Sequence, residues 1–217
     1  MRPDLVVWDC DGVLVDTERL VTRLESEWIT ELGWTLTPDD VVEHFMGRSE
    51  AHMAAEIERE LGEPVPEGWQ DALREASHEL FRAELTAVEG VVATLDVLDR
   101  AGVAMCVASS SGHDRLRLVL GLTDTFERFE GRIFSAEEVQ NGKPAPDLFL
   151  LAAERSGADP ARCVVVEDSE AGVQAGVAAG MRVLGYAGGL TSRERLSAAG
   201  AEVFDRMDEL PALILDD

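Results

Sequence analysis

Two aspartates separated by one residue, Asp9 and Asp11, follow the apolar run 5–8 and precede Gly12. Alternate side chains of a strand share a face, so both carboxylates can leave the end of one buried strand toward one point. Two such carboxylates lose hydration and repel each other unless a cation compensates them. The pattern therefore predicts an Mg²⁺ site at the carboxyl edge of a parallel sheet. A simple Asp-Gly turn is the alternative.

Three further polar segments lie beside predicted strand ends or helix starts. Ser109 and Ser110 close an apolar run, where a hydroxyl and free backbone N–H groups can hold phosphate oxygens; a plain helix N-cap is the alternative. Lys143 lies in Gly-Lys-Pro-Ala-Pro-Asp, where two prolines would fix its charge against an anion unless it is only a solvated loop residue. Glu167 and Asp168 end another apolar run and could complete a metal shell.

Most of the chain alternates between strand and helix signals. Unbroken β-branched runs are typical of strands buried on both faces of a parallel sheet, and they occur at 5–8, 103–108, 163–166 and 182–186. Helical stretches alternate with them or follow them at 91–101, 113–120, 146–156 and 171–179. This order predicts an α/β core.

Residues 18–86 interrupt that alternation. Amphipathic helices are predicted at 18–32, 38–46, 50–61 and 67–85, with no strand between them. We therefore expect an α-helical insert at 18–86 and an α/β core formed by 1–17 and 87–217. Trp28, Trp34 and Trp69 fall in the insert, where we expect them to fill its core.

Composition restricts the function classes. The 217 residues carry a net charge of -24 with pI near 4.4, which disfavours nucleic acid and membrane surfaces as partners. No signal peptide is visible, and no apolar run reaches the ~20 residues of a spanning helix. Three cysteines in apolar settings indicate reduced thiols. We therefore expect a cytoplasmic protein, either a monomer or a weak dimer.

The order and spacing of the four motifs resemble the haloacid dehalogenase superfamily, in its phosphatase and phosphomutase branch. The resemblance implies a Rossmann-like parallel sheet core with an inserted helical cap. It also implies a role for each matched residue: Asp9 as nucleophile, Asp11 as general acid and base, Ser109 and Lys143 as phosphate holders, and Asp168 as metal ligand with Glu167 beside it.

The resulting expectation is an Mg²⁺-dependent phosphomonoester hydrolase that acts on a small phosphorylated metabolite through an aspartyl-phosphate. A sugar or sugar-acid phosphate is the expected substrate class, with Arg48, Gly47 and His113 as candidate specificity residues. A phosphosugar mutase of the beta-phosphoglucomutase type is one alternative, but residues 17–22 lack the histidine that those enzymes carry. Metal-independent dehalogenation is a second competing function, and a catalytically silent binding protein is a third.

Overall fold

The computed structural model describes residues 2–45 and 50–215. Tertiary contacts divide the chain into two compact units, one formed by Met1–Asp16 with Thr86–Asp217 and the other by Thr17–Leu85. The insert expected from the sequence, 18–86, begins and ends one residue later. Within the described ranges, no helix is long and apolar enough to cross a membrane.

The first unit is built on a six-stranded sheet in which every neighbouring pair is parallel. Its strands are β1 (Leu5–Trp8), β2 (Met105–Ser109), β3 (Ile133–Ser135), β4 (Cys163–Glu167), β5 (Arg182–Tyr186) and β6 (Glu202–Phe204). Their order across the sheet is β3-β2-β1-β4-β5-β6. The predicted α/β class is confirmed, while the two three-residue edge strands, β3 and β6, were missed by the sequence interpretation.

The described residues of the second unit, 17–45 and 50–85, form four helices. They are α1 (Thr17–Leu32), α2 (Pro38–Phe45), α3 (Glu50–Leu61) and α4 (Trp69–Glu84). Their buried faces form one cluster that includes Ile29, Phe45 and Trp69, and the side chains of Trp28 and Trp34 pack against it. The tryptophans thus have the packing role expected from the sequence.

Seven helices accompany the sheet of the first unit. They are α5 (Val91–Arg100), α6 (His113–Leu122), α7 (Phe126–Phe129), α8 (Asp147–Ser156), α9 (Glu170–Ala178), α10 (Arg193–Ala199) and α11 (Leu210–Leu215). Helices α8 and α9 pack against the sheet, and the central strands are fully buried. This burial explains why β1 and β4 are unbroken apolar runs.

The strand order places a change of direction beside β1. From β1 the chain builds β2 and β3 on one side, and it then crosses back to begin β4 on the other side. In open α/β sheets, the carboxyl edge at such a switch point is where ligands bind. Residues that directly follow β1 and β4 therefore meet at the expected location of a functional site.

Candidate active site

Asp9 is the first residue after β1, and its backbone N–H donates to the carbonyl of Val166 on β4 at 2.9 Å. Lys143, the only lysine of the chain, donates from Nζ to Asp9 Oδ1 at 2.6 Å and to Glu167 Oε1 at 2.8 Å. Its ammonium also lies 4.9 Å from the centre of the Phe149 ring. All three charged side chains are nearly inaccessible to solvent. The sequence placed these residues at separate strand and loop ends, and the structure joins them in one ionic cluster.

Glu167 ends β4 and is held from both sides. Its Oε2 accepts hydrogen bonds from the backbone N–H of Ser169 at 2.7 Å and from Ser169 Oγ at 2.9 Å. Ser169 also caps α9, because its Oγ accepts from the N–H of Gly172 at 3.1 Å. A side chain at Gly172 would collide with the Glu167 carboxylate, since an added Cβ would lie 1.6 Å from Oε1. The first residues of α9 and its N-cap therefore both support Glu167 and leave space for it.

Asp9, Glu167 and Asp168 together form an acidic group whose carboxylate oxygens lie within 4.8 Å of one another. All three residues are buried. Gly12 allows the chain after β1 to pass close to this group: it has φ +76°, and an added Cβ would lie 2.0 Å from Asp168 Oδ2. A compact set of carboxylate oxygens suits a hard divalent cation such as Mg²⁺. The residues present thus fit a metal that the sequence motif predicts.

The charge balance of the cluster favours an additional cation. Burial raises the pKa of the Asp9 carboxyl to about 7; Lys143 opposes this rise, and Glu167 adds to it. Burial alone would lower the pKa of Lys143, but the charges of Asp9 and Glu167 outweigh that effect and raise it. One ammonium serves several buried carboxylates, so a second positive charge at the acidic group would help to keep Asp9 ionised at neutral pH.

The serine segment lies at the end of β2, the strand next to β1. Ser109 is buried, and its Oγ accepts a hydrogen bond from the N–H of Ser111 at 3.1 Å, whereas Ser110 is exposed. Ser109 thus ends the strand that pairs with β1, and β1 leads directly into Asp9. Its predicted role in holding phosphate is compatible with that position.

Asp11 is held apart from the acidic group by residues of the β2–α6 region. Its Oδ2 accepts from Ser111 Oγ at 2.7 Å, and its Oδ1 accepts from Arg115 Nη2 at 2.8 Å. Its carboxylate is therefore not part of the three-residue set that could hold a metal through side chains. The sequence interpretation did not include Arg115. The available signal was an arginine in the first turn of a helix, where a positive charge opposes the helix dipole.

The candidate specificity residues are not brought to this cluster by the described part of the chain. His113 pairs through Nε2 with Glu138 Oε1 at 3.0 Å. It lines a separate cavity of about 300 Å³ that also includes Arg117, Phe126 and Arg155. Gly47 and Arg48 lie outside the described residues, so their roles stay predictions.

Comparison with known proteins agrees with this arrangement of motifs. The family model for haloacid dehalogenase-like hydrolases matches residues 3–180. The chain belongs to this family.

Among curated relatives, 6-phosphogluconate phosphatase from Escherichia coli is 32% identical over 189 residues, covering 84% of this chain and 81% of its own length. Hexitol phosphatase A from the same organism is 34% identical over 201 residues, covering 85% and 83%. A crystal structure of a family hydrolase from Deinococcus radiodurans, with bound phosphate and sodium, is 31% identical and covers 99% of this chain and 96% of its own, with a TM-score of 0.86.

Proposed function

We propose that the protein is an Mg²⁺-dependent phosphatase for a small phosphorylated metabolite, with a sugar or sugar-acid phosphate as the substrate class. The observation that carries the proposal is the ionic cluster of Lys143 between Asp9 and Glu167, with Asp168 beside it at the switch point of the sheet. The names of the curated relatives, which are phosphatases for phosphorylated sugar derivatives, support it.

The first chemical step is an in-line displacement on phosphorus. A carboxylate oxygen of Asp9 attacks, the bond from phosphorus to the ester oxygen breaks, and Asp11 gives its proton to the departing alcohol. Water then attacks the aspartyl-phosphate, Asp11 takes a proton from it, and Asp9 is released with inorganic phosphate. The proton that Asp11 takes from water in the second step replaces the one that it gave to the alcohol in the first.

Charge neutralisation explains why attack by an anion on an anion is feasible here. Lys143 supplies a fixed positive charge at the nucleophile, and Ser109 offers a hydroxyl to the phosphate oxygens. Asp9 and Asp168, with the backbone carbonyl of Asp11, would hold Mg²⁺, which would supply further electrostatic stabilisation of the phosphoryl group. Glu167 anchors Lys143 through one oxygen and Ser169 through the other.

The proposed function is tested by phosphate release from a panel of sugar, sugar-acid and aryl phosphates with MgCl₂. We expect turnover that stops on treatment with a chelator and returns with Mg²⁺. Asp9→Asn removes the nucleophile at nearly constant volume, so this variant should fold normally, as seen by circular dichroism, and release no phosphate. Turnover by Asp9→Asn, or activity that survives exhaustive metal removal, would contradict the proposal.

Selectivity within the substrate class is assigned to Arg48 on its predicted position between two helices of the insert. Arg48→Ala should lower kcat/KM for the best sugar-acid phosphate more than for an aryl phosphate, because the aryl ester offers no second group to bind. Measuring both esters on the same preparation provides the internal control. An equal loss on the two esters would remove Arg48 from the selectivity mechanism.

A further inference from the structure

Two residues of the β2–α6 region hydrogen-bond to the Asp11 carboxylate. Ser111 and Arg115 each take one of its oxygens, at 2.7 Å and 2.8 Å. The contact is half-buried, with 20% of the Asp11 side chain and 29% of the Arg115 side chain exposed. Partial burial weakens solvent screening, so this pair is stronger than an ordinary surface ion pair.

Arg115 occupies an unfavourable place for a cation. It lies in the first turn of α6, which begins at His113, where the helix dipole disfavours positive charge. Its guanidinium is nevertheless directed to Asp11, across more than one hundred residues of sequence. The ion pair with Asp11 offsets this cost, and it orients the carboxylate.

We propose that Arg115 is a positioning residue that fixes the Asp11 carboxylate for proton transfer. The inference rests on the proposed phosphatase function and adds a residue to it. In the two in-line steps, the alcohol leaves from the side opposite Asp9, and the water later enters from that same side. A single carboxylate can serve both steps only if it stays at one place, and a misplacement of about 1 Å can cost on the order of 10²-fold in rate.

The first test compares Arg115→Ala with Arg117→Ala. Arg117 lies two residues further along α6 and stacks over Phe126 at 5.8 Å, so its removal controls for the loss of one positive charge from this helix. We expect Arg115→Ala to lower kcat by about tenfold or more on a sugar phosphate with little change in KM, and Arg117→Ala to leave both unchanged. Arg115→Lys, which keeps a donor and a charge, should recover part of kcat.

The leaving group separates proton transfer from a general structural effect. A nitrophenolate departs without a proton, whereas a sugar alkoxide needs one. The ratio kcat/KM reports the step in which the alcohol leaves and not the later hydrolysis that both esters share. Arg115→Ala should therefore lose more kcat/KM on the sugar phosphate than on nitrophenyl phosphate in initial-rate measurements. An equal loss on both esters would overturn the inference, because it would indicate damage to the fold or direct contact with phosphate.

A double-mutant cycle with Asp11→Asn identifies the residue through which Arg115 acts. With the proton carrier removed, adding Arg115→Ala should change the rate by less than about twofold. The same loss in both backgrounds would overturn the inference. The inference would also be overturned if crystal structures of Arg115→Ala and Arg117→Ala both showed Asp11 in the wild-type rotamer. A wild-type protein that releases no phosphate from any ester would instead overturn the proposed function.

Discussion

At the scale of single residues, the ionic cluster of Asp9, Lys143 and Glu167 bears on both the proposed reaction and the stability of the folded protein. Two carboxylates share one ammonium at 2.6 Å and 2.8 Å in a region almost free of solvent. A buried pair of this kind adds little net stability compared with an apolar replacement, but loss of one partner leaves uncompensated buried charge. Lys143 therefore holds together an arrangement that folding alone does not favour.

Replacement of Lys143 by methionine should be costly for this reason. We expect Lys143→Met to lower the free energy of unfolding by about 3–5 kcal/mol in metal-free buffer at pH 8, because two buried carboxylates then face each other. Urea denaturation with EDTA measures it, and added Mg²⁺ should recover part of the loss.

The matched control for that change is Arg162→Met. Arg162 pairs with Asp4 at 2.6 Å, and both side chains are about 40% exposed, so this loss should be much smaller than the loss for Lys143→Met. Equal costs for the two variants would show that burial does not strengthen the Lys143 contacts.

Sequence reasoning proposed candidate catalytic residues by type and spacing, and it did not find the arginine that contacts Asp11. Asp9, Lys143 and Asp168 belong to motifs in which the residue type itself suggests the role. Arg115 belongs to no motif, and its partner lies 104 positions earlier in the chain. Such a contact follows from tertiary packing, which a single sequence does not encode in readable form.

At the scale of elements, the start of α9 combines a helix cap with the support of Glu167. The absence of a side chain at Gly172 leaves room for the Glu167 carboxylate. Gly172→Ala should force this carboxylate to move, lower stability by about 1–3 kcal/mol and reduce turnover. Thermal unfolding and phosphate release measure the two effects.

Gly121→Ala is the matched control within another helix. Nothing lies within 4 Å of a Cβ built at Gly121, in α6, so alanine there should raise stability by up to about 1 kcal/mol. If Gly172→Ala raised stability as Gly121→Ala is expected to, the gain in helix propensity would be the main effect and the collision with Glu167 would be contradicted.

The central elements were predictable because burial on both faces gives long apolar runs. The bounds of β1 and β5 agree with the sequence interpretation, and β2 and β4 each extend one residue further at the carboxyl end. At its amino end, β2 begins two residues later than predicted. The edge strands β3 and β6 have three residues each, and their positions depend on pairing with β2 and β5. A run that short has no periodicity that could be recognised in advance.

On the scale of the whole molecule, net charge is the dominant feature. A charge of -24 on 217 residues produces self-repulsion that opposes the compact state. Salt shortens the screening length from about 10 Å at 0.1 M to about 3 Å at 1 M, which weakens long-range repulsion more than the close ion pairs.

The melting temperature should therefore rise between low salt and 1 M KCl. Differential scanning calorimetry at constant pH measures this change, and a matched concentration of sucrose controls for general exclusion of cosolute from the surface. A fall in Tm with salt would mean that the ion pairs, such as Arg182 with Glu202, outweigh the repulsion.

The single lysine also makes the protein its own chemical reporter. Apart from the amino terminus, acylating reagents have one amine to modify, and that amine is enclosed by Asp9 and Glu167 with 4% of its side chain exposed. Its acylation rate, followed by intact mass, measures how often the cluster opens. Ligands that close the cluster should slow the labelling, so occupancy can be followed without a substrate, a coupled assay or an introduced probe.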